Sequence, residues 1–187
     1  PIDQQASSHP FSADKIVLGS FNTFRKINIE VVRAWAEILR CVPSAMLRMH
    51  GVPRGRTMDD LLDIFKDGGA DPSQIEFFGV IDHAKYQQAY TRVHIALDPF
   101  PYSGGATTCE CLWMGVPVVA MAGSGGFART AAGILSVVGL NELIANSRED
   151  YVERAIELSR NFERLHVYRK TIRQRIRESS IMDARRF

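Results

Sequence analysis

Small and hydroxyl-bearing residues crowd the run Pro101-Tyr102-Ser103-Gly104-Gly105-Ala106-Thr107-Thr108-Cys109-Glu110, which follows Leu97-Asp98-Pro99-Phe100. Small residues at a helix start let backbone N–H groups approach a phosphate, while the helix dipole and threonine hydroxyls favour a bound anion. Gly105, Ala106, Thr107 and Thr108 therefore form a candidate diphosphate cradle. Glu110, one turn further on, offers two carboxylate oxygens to a vicinal diol such as that of ribose. Its spacing from Thr107 equally fits a capping box, in which the two side chains satisfy the helix's own N–H groups. Asp98 is similarly open to a second reading, as a brace for the loop before Pro99.

Three further loops carry candidate groups. Asn22, Thr23, Arg25 and Lys26 follow the first apolar run, and a lysine there could neutralise a phosphate or a departing diphosphate. Position alone also fits a surface lysine. Asp82 suits a helix cap, and His83 and Tyr86 fall at i and i+3 on the following turn, where they could flank a flat base; exposed polar residues of a first turn share this pattern. The segment Gly123-Ser124-Gly125-Gly126-Phe127-Ala128 fits the permissive dinucleotide fingerprint GxGxx(G/A). Gly123, Gly125 and Ala128 would then serve a nicotinamide-dependent enzyme. This loop follows the last expected strand, however, and Glu142 lies in a helical-looking run, so backbone access to a sugar or phosphate fits it better.

These loops need a scaffold that brings them together. Short apolar runs at 16–20, 46–49, 75–78, 94–97 and 116–120 alternate with helix-length segments at 29–41, 57–67, from about 82, 107–114 and from about 127. The alternation predicts an α/β, Rossmann-like parallel sheet with helices on both faces, and ligands then sit beyond the carboxyl ends of the strands. Residues 1–14 read as a linker, 15–146 as the Rossmann-like domain and 147–187 as its helical extension. Helices are expected over 148–160 and 162–178, with arginines at 160, 164, 169, 173, 175 and 177 on a solvated or partner-facing side.

The 187 residues are 45% hydrophobic and 24% charged, with a net charge of +2, so the chain has material for one core and no strong field to attract nucleic acid or a membrane. An anionic ligand must be held locally. Cys41, Cys109 and Cys111 show no paired spacing, which suits a reducing, cytoplasmic setting. No apolar run reaches the length of a membrane span, and no secretory leader pattern opens the chain.

Taken together, Gly19-Ser20-Phe21-Asn22-x-x-x-Lys26, Leu97-Asp98-x-Phe100-Pro101-Tyr102, the run from Thr107-Thr108-Cys109-Glu110 through Val119, and Ala128-Arg129 resemble the O-GlcNAc transferase and SPINDLY-like glycosyltransferases, including their bacterial relatives. The resemblance covers roughly 16–144 and more loosely the rest. It implies the C-terminal, donor-binding lobe of a two-lobed GT-B enzyme that inverts the anomeric centre without a metal ion. In that light Lys26 supports the leaving diphosphate, Thr107 and Thr108 bind it, and Glu110 holds the ribose. His83 and Tyr86 pack against the base, whose edge the backbone near Val80 and Ile81 reads. Asn22, Thr23, Gly105, Ala106 and Arg129 complete the donor site.

The family also implies a UDP-sugar donor without a cofactor, with UDP-N-acetylglucosamine favoured and GDP-fucose or UDP-glucose as alternatives. The acceptor would be a protein Ser or Thr, held by a separate N-terminal lobe that TPR repeats precede. No nucleic acid or membrane partner is implied. The chain departs from the family's pattern at Thr23, at Gly104-Gly105-Ala106 and at 123–127, where bacterial relatives carry a charged stretch. A degenerate module with only an interaction role is the non-enzymatic alternative.

Overall fold

Strands covered by helices on both sheet faces can be apolar at every position, and Ile16, Val17 and Leu18 show this pattern. They lie in β1 (Ile16–Ser20), whose residues are all buried. The computed structural model of the chain describes residues 15–80 and 83–183, and for 83–85 the backbone alone. Around β1 stand β2 (Ala45–His50), β3 (Ile75–Phe78), β4 (Ile95–Leu97), β5 (Val118–Met121) and β6 (Ile144–Ala145). All pairings are parallel, in the order β3-β2-β1-β4-β5-β6. The winding therefore reverses between β1 and β4, and the loops after those two strands border the resulting crevice.

Helices α1 (Ile29–Cys41), α2 (Arg56–Asp67), α3 (His83–Thr91), α4 (Ala106–Trp113) and α5 (Thr130–Val137) link the strands. Val32, Trp35, Ala36 and Leu39 of α1 recur at helical spacing and are all buried. Asn28 caps α1 by accepting from the N–H groups of Glu30 and Val31 at 3.0 Å each, and its amide donates to the Phe100 carbonyl at 2.7 Å. One side chain thus starts a helix and ties it to the loop beyond β4.

Two expectations need correction. A sixth strand does follow β5: Asn141–Leu143 is a 3-10 turn, not a helix, and it feeds β6. A two-residue strand is too short to leave a periodic signal. Phe127 likewise lies in a 3-10 turn, Gly126–Ala128, and α5 begins at Thr130.

After β6 come α6 (Arg148–Ser159) and α7 (Phe162–Glu178), then a 3-10 turn, Ser180–Met182. Tyr151 of α6 is fully buried; it receives a hydrogen bond from the Trp35 indole at 3.0 Å and donates to the Asp98 carbonyl at 3.1 Å. Arg160 and Arg175 stay near the surface, while half-buried Arg169 turns in toward the fold; all three bond back to carbonyls of other elements. Arg160 donates to the Cys41 carbonyl, Arg169 to the carbonyls of Met114, Thr91 and Val93, and Arg175 to that of Gly139. The five donors of a guanidinium can satisfy carbonyls left over at element ends. Burial lowers the Arg169 pKa to about 10. Among the described residues no helix is long and apolar enough to cross a membrane.

Candidate functional site

Lys26 ends the 3-10 turn Phe24–Lys26 after β1, and its ammonium reaches across the crevice to the Ser103 carbonyl at 2.9 Å. The same nitrogen lies 4.5 Å above the centre of the Tyr102 ring. Asn22, on the same loop, donates to Asp98 Oδ1 at 3.1 Å. Asp98 sits at the carboxyl end of β4 and also accepts the Gly104 N–H on both oxygens at 2.9 Å. Sequence reasoning left Asp98 undecided; in the fold it braces the loop. Burial pushes its pKa up to about 7, and this outweighs the opposing effects of Gly104, Asn22 and Lys26.

That brace presents the start of α4. Its N-cap is Gly105 and no side chain caps it, so the first-turn N–H groups remain for another partner. Ala106 is exposed and Thr107 half-buried. Thr108 is buried, and its hydroxyl, like Ser20 Oγ and Asn22 Oδ1, has no hydrogen-bond partner among the described residues. Gly104 is required here by space: a Cβ would lie 2.5 Å from Asp98 Oδ1 and 2.6 Å from Thr108 Oγ1. A cation and a bare helix start thus face one crevice, an arrangement that can hold an anion.

The capping box that the Thr107 to Glu110 spacing allows does not form, because the helix begins two residues earlier than that box requires, with Gly105 rather than Thr107 as its N-cap. Glu110 is exposed and accepts from the Tyr90 hydroxyl at 2.9 Å. Glu110, Tyr86 and Tyr90 line one largely apolar cavity of about 360 Å³ together with Trp113 and Ile176. The candidate base and ribose residues are therefore neighbours. Tyr86 also turns its hydroxyl to the Phe21 carbonyl, and burial raises its pKa to about 12.

Sequence reasoning missed His50. At the end of β2 its ring stacks between Phe21 and Phe78, with centroids 4.8 Å away on either side, and Tyr86 meets it edge-on. Neither ring nitrogen has a partner among the described residues, and burial, then Arg48, lowers its pKa to about 4. A histidine at the end of an apolar run was the available signal; its stacking partners lie far apart in sequence.

The remaining candidates are more peripheral. Thr23 is exposed and contributes its carbonyl to the Lys26 N–H. Val80 is exposed, whereas Ile81 and the His83 side chain fall outside the described residues. Arg129 donates to the Gly123 carbonyl at 3.2 Å and closes its own loop. That loop reaches the site through Ser103, whose N–H and hydroxyl both donate to the Phe127 carbonyl. For the dinucleotide reading, the strand after this loop is followed by Asn146 and Ser147, which supply no ribose-binding acid.

A parallel sheet wound in this order, with its crevice at the switch between β1 and β4, defines a Rossmann-like lobe of the GT-B glycosyltransferase kind. It superposes with a TM-score of 0.88 and 31% identity on an O-GlcNAc transferase variant from Thermobaculum terrenum, covering 98% of this chain and 35% of that one. With TarM from S. aureus the TM-score is 0.67 at 16% identity, a likeness of fold alone. The chain belongs to glycosyl transferase family 41, whose model matches residues 4–187. It is 36% identical over 178 residues to a probable UDP-N-acetylglucosamine–peptide N-acetylglucosaminyltransferase SPINDLY of Petunia hybrida, covering 92% of this chain and 19% of that protein. A UDP-N-acetylglucosamine–peptide N-acetylglucosaminyltransferase of Caenorhabditis elegans is 27% identical, over 93% of this chain and 15% of its own length. The chain thus spans about a fifth or less of these relatives.

Proposed function

We propose that this chain is the donor-binding lobe of an inverting, metal-independent glycosyltransferase that moves N-acetylglucosamine from UDP-N-acetylglucosamine to protein Ser or Thr. The observation that carries the reading is Lys26 facing the uncapped start of α4 across the β1/β4 crevice. The names of the relatives support the donor and the acceptor class. Residues 15–146 would be the lobe, and 147–187 its extension, an assignment that the Tyr151 and Arg169 bonds to the carbonyls of Asp98 and Val93, flanking β4, support. Likeness to the Thermobaculum protein supports a bacterial-type member. The free cysteines support a reducing, cytoplasmic setting.

Inverting transfer needs a stabilised leaving group, an acceptor held in line and a path for the acceptor's proton. This lobe supplies the first. Lys26 and the N–H groups of Ala106, Thr107 and Thr108 would offset charge growing on the departing diphosphate. Asn22 would act through Asp98 to hold the cradle. Glu110 would take the ribose, and Tyr86, His83 and the backbone at Val80 and Ile81 the base. Thr23, Gly105 and Arg129 would complete the rim.

The acceptor lobe and any TPR repeats would belong to a larger protein, and the chain alone binds nucleotide without turnover. In that larger protein Lys26→Ala is expected to lower kcat about 100- to 1,000-fold, more than it weakens nucleotide binding. Unchanged turnover would remove Lys26 from the mechanism. Replacement of the family's charged stretch at 123–127 favours the second reading, an interaction module without turnover. Absence of glycan transfer by the larger protein, with nucleotide binding intact, would decide for it.

A further inference from the structure

Phe127 stands on a glycine-rich loop with 72% of its surface exposed, beside Tyr102, which is 49% exposed. Their rings are stacked, 7° from parallel with centroids 5.6 Å apart. This pair is held from below. Ser103 clamps the Phe127 carbonyl through its N–H at 3.2 Å and its hydroxyl at 2.7 Å, and that hydroxyl in turn accepts the Ala131 N–H. Gly123 and Ala128 pack so closely that a Cβ on Gly123 would lie 2.5 Å from the Ala128 methyl. Beside Gly125 and Gly126, by contrast, the space is open.

An exposed aromatic pair drawn from two loops that Ser103 joins gains little from burial in the core, so its position relative to the crevice is informative. Lys26 lies over the Tyr102 ring, and the same ammonium points to the loop that leads into α4. A group bonded to the outer phosphate of a diphosphate held there would project toward this rim. One face of a pyranose is a layer of C–H groups, and the electron-rich face of an aromatic ring attracts such groups.

We infer that Phe127, aligned by Tyr102 and Ser103, is a stacking platform for the pyranose ring of the donor and a determinant of donor affinity. This inference rests on the proposed donor site and adds to it the residue that recognises the sugar rather than the nucleotide.

Calorimetry on this chain with two ligand pairs, UDP against UDP-N-acetylglucosamine and GDP against GDP-fucose, tests it. The wild type is expected to bind one nucleotide sugar more tightly than its parent diphosphate. Phe127→Ala should shrink that preference about three- to tenfold and leave the diphosphate's affinity within twofold, while Phe127→Tyr restores the preference. A preference unchanged by Phe127→Ala, equal weakening of both ligands, or no preference in the wild type would overturn the inference while leaving the donor site standing. Failure of all four ligands to bind would overturn the donor site and this inference together.

Discussion

The loops that follow β4 and β5 reach the same rim but are built in opposite ways. Residues 98–105 are fixed from inside: Asp98 grips Gly104, Asn22 grips Asp98, and Asn28 holds the Phe100 carbonyl. Residues 123–129 are exposed except at Ala128 and the half-buried Gly123, and their bonds are mostly to their own backbone. The first loop has little room to vary, because its buried polar groups at Asp98, Ser103 and Gly104 each answer another. The second can change sequence at low cost, so it is where differences in what the rim recognises can accumulate. Ser103 is the joint between them.

The largest expected effect separates the buried carboxyl from everything on the open loop. Asp98 has its folded-state pKa raised to about 7, equivalent to roughly 4 kcal/mol against its charged form. Stability from this group is fully present below its ordinary value and is lost as the pH rises through 7. Asp98→Asn should remove that loss, and denaturant melts of variant and wild type from pH 4 to 8 measure it. His50 and His94, both lowered to about 4, act in the opposite sense as the pH falls below 6.5, and they cancel in the difference. A variant with the wild-type slope would mean Asp98 is ionised throughout.

Gly104→Ala comes next, at about 2 to 3 kcal/mol of lost stability, since its Cβ has no space between Asp98 and Thr108. Ser103→Ala should cost about 1 kcal/mol by freeing the Ala131 N–H and leaving the Phe127 carbonyl with only the backbone N–H of residue 103. Gly125→Ala, with nothing near its Cβ, should stay within about 0.5 kcal/mol in the same melts. Equal costs for Gly104→Ala and Gly125→Ala would break the contrast between the loops.

The contrast also marks what the sequence made legible. Runs such as 16–20 and 75–78 and the helices 29–41 and 162–178 follow from local periodicity, and the structure has them at those bounds. Lys26 and the 105–108 segment could be placed together because a parallel sheet brings loop ends to one edge. Strand β6 was hidden by its length. The Phe21, His50, Phe78 stack and the Ser103 to Phe127 clamp were hidden because their members meet only after the sheet has assembled. Glu110 shows both sides: spacing allowed a cap or a ligand, and the position of Gly105 as N-cap removes the cap.

The crevice between β1 and β4 as a diphosphate site is tested most directly by titrating UDP and GDP, each to millimolar concentration, into this chain and its Lys26→Ala variant by calorimetry. Saturable heat with at least one nucleotide, weakened in the variant, is the predicted result. No heat with either nucleotide in the wild type, or binding that Lys26→Ala leaves untouched, would contradict it.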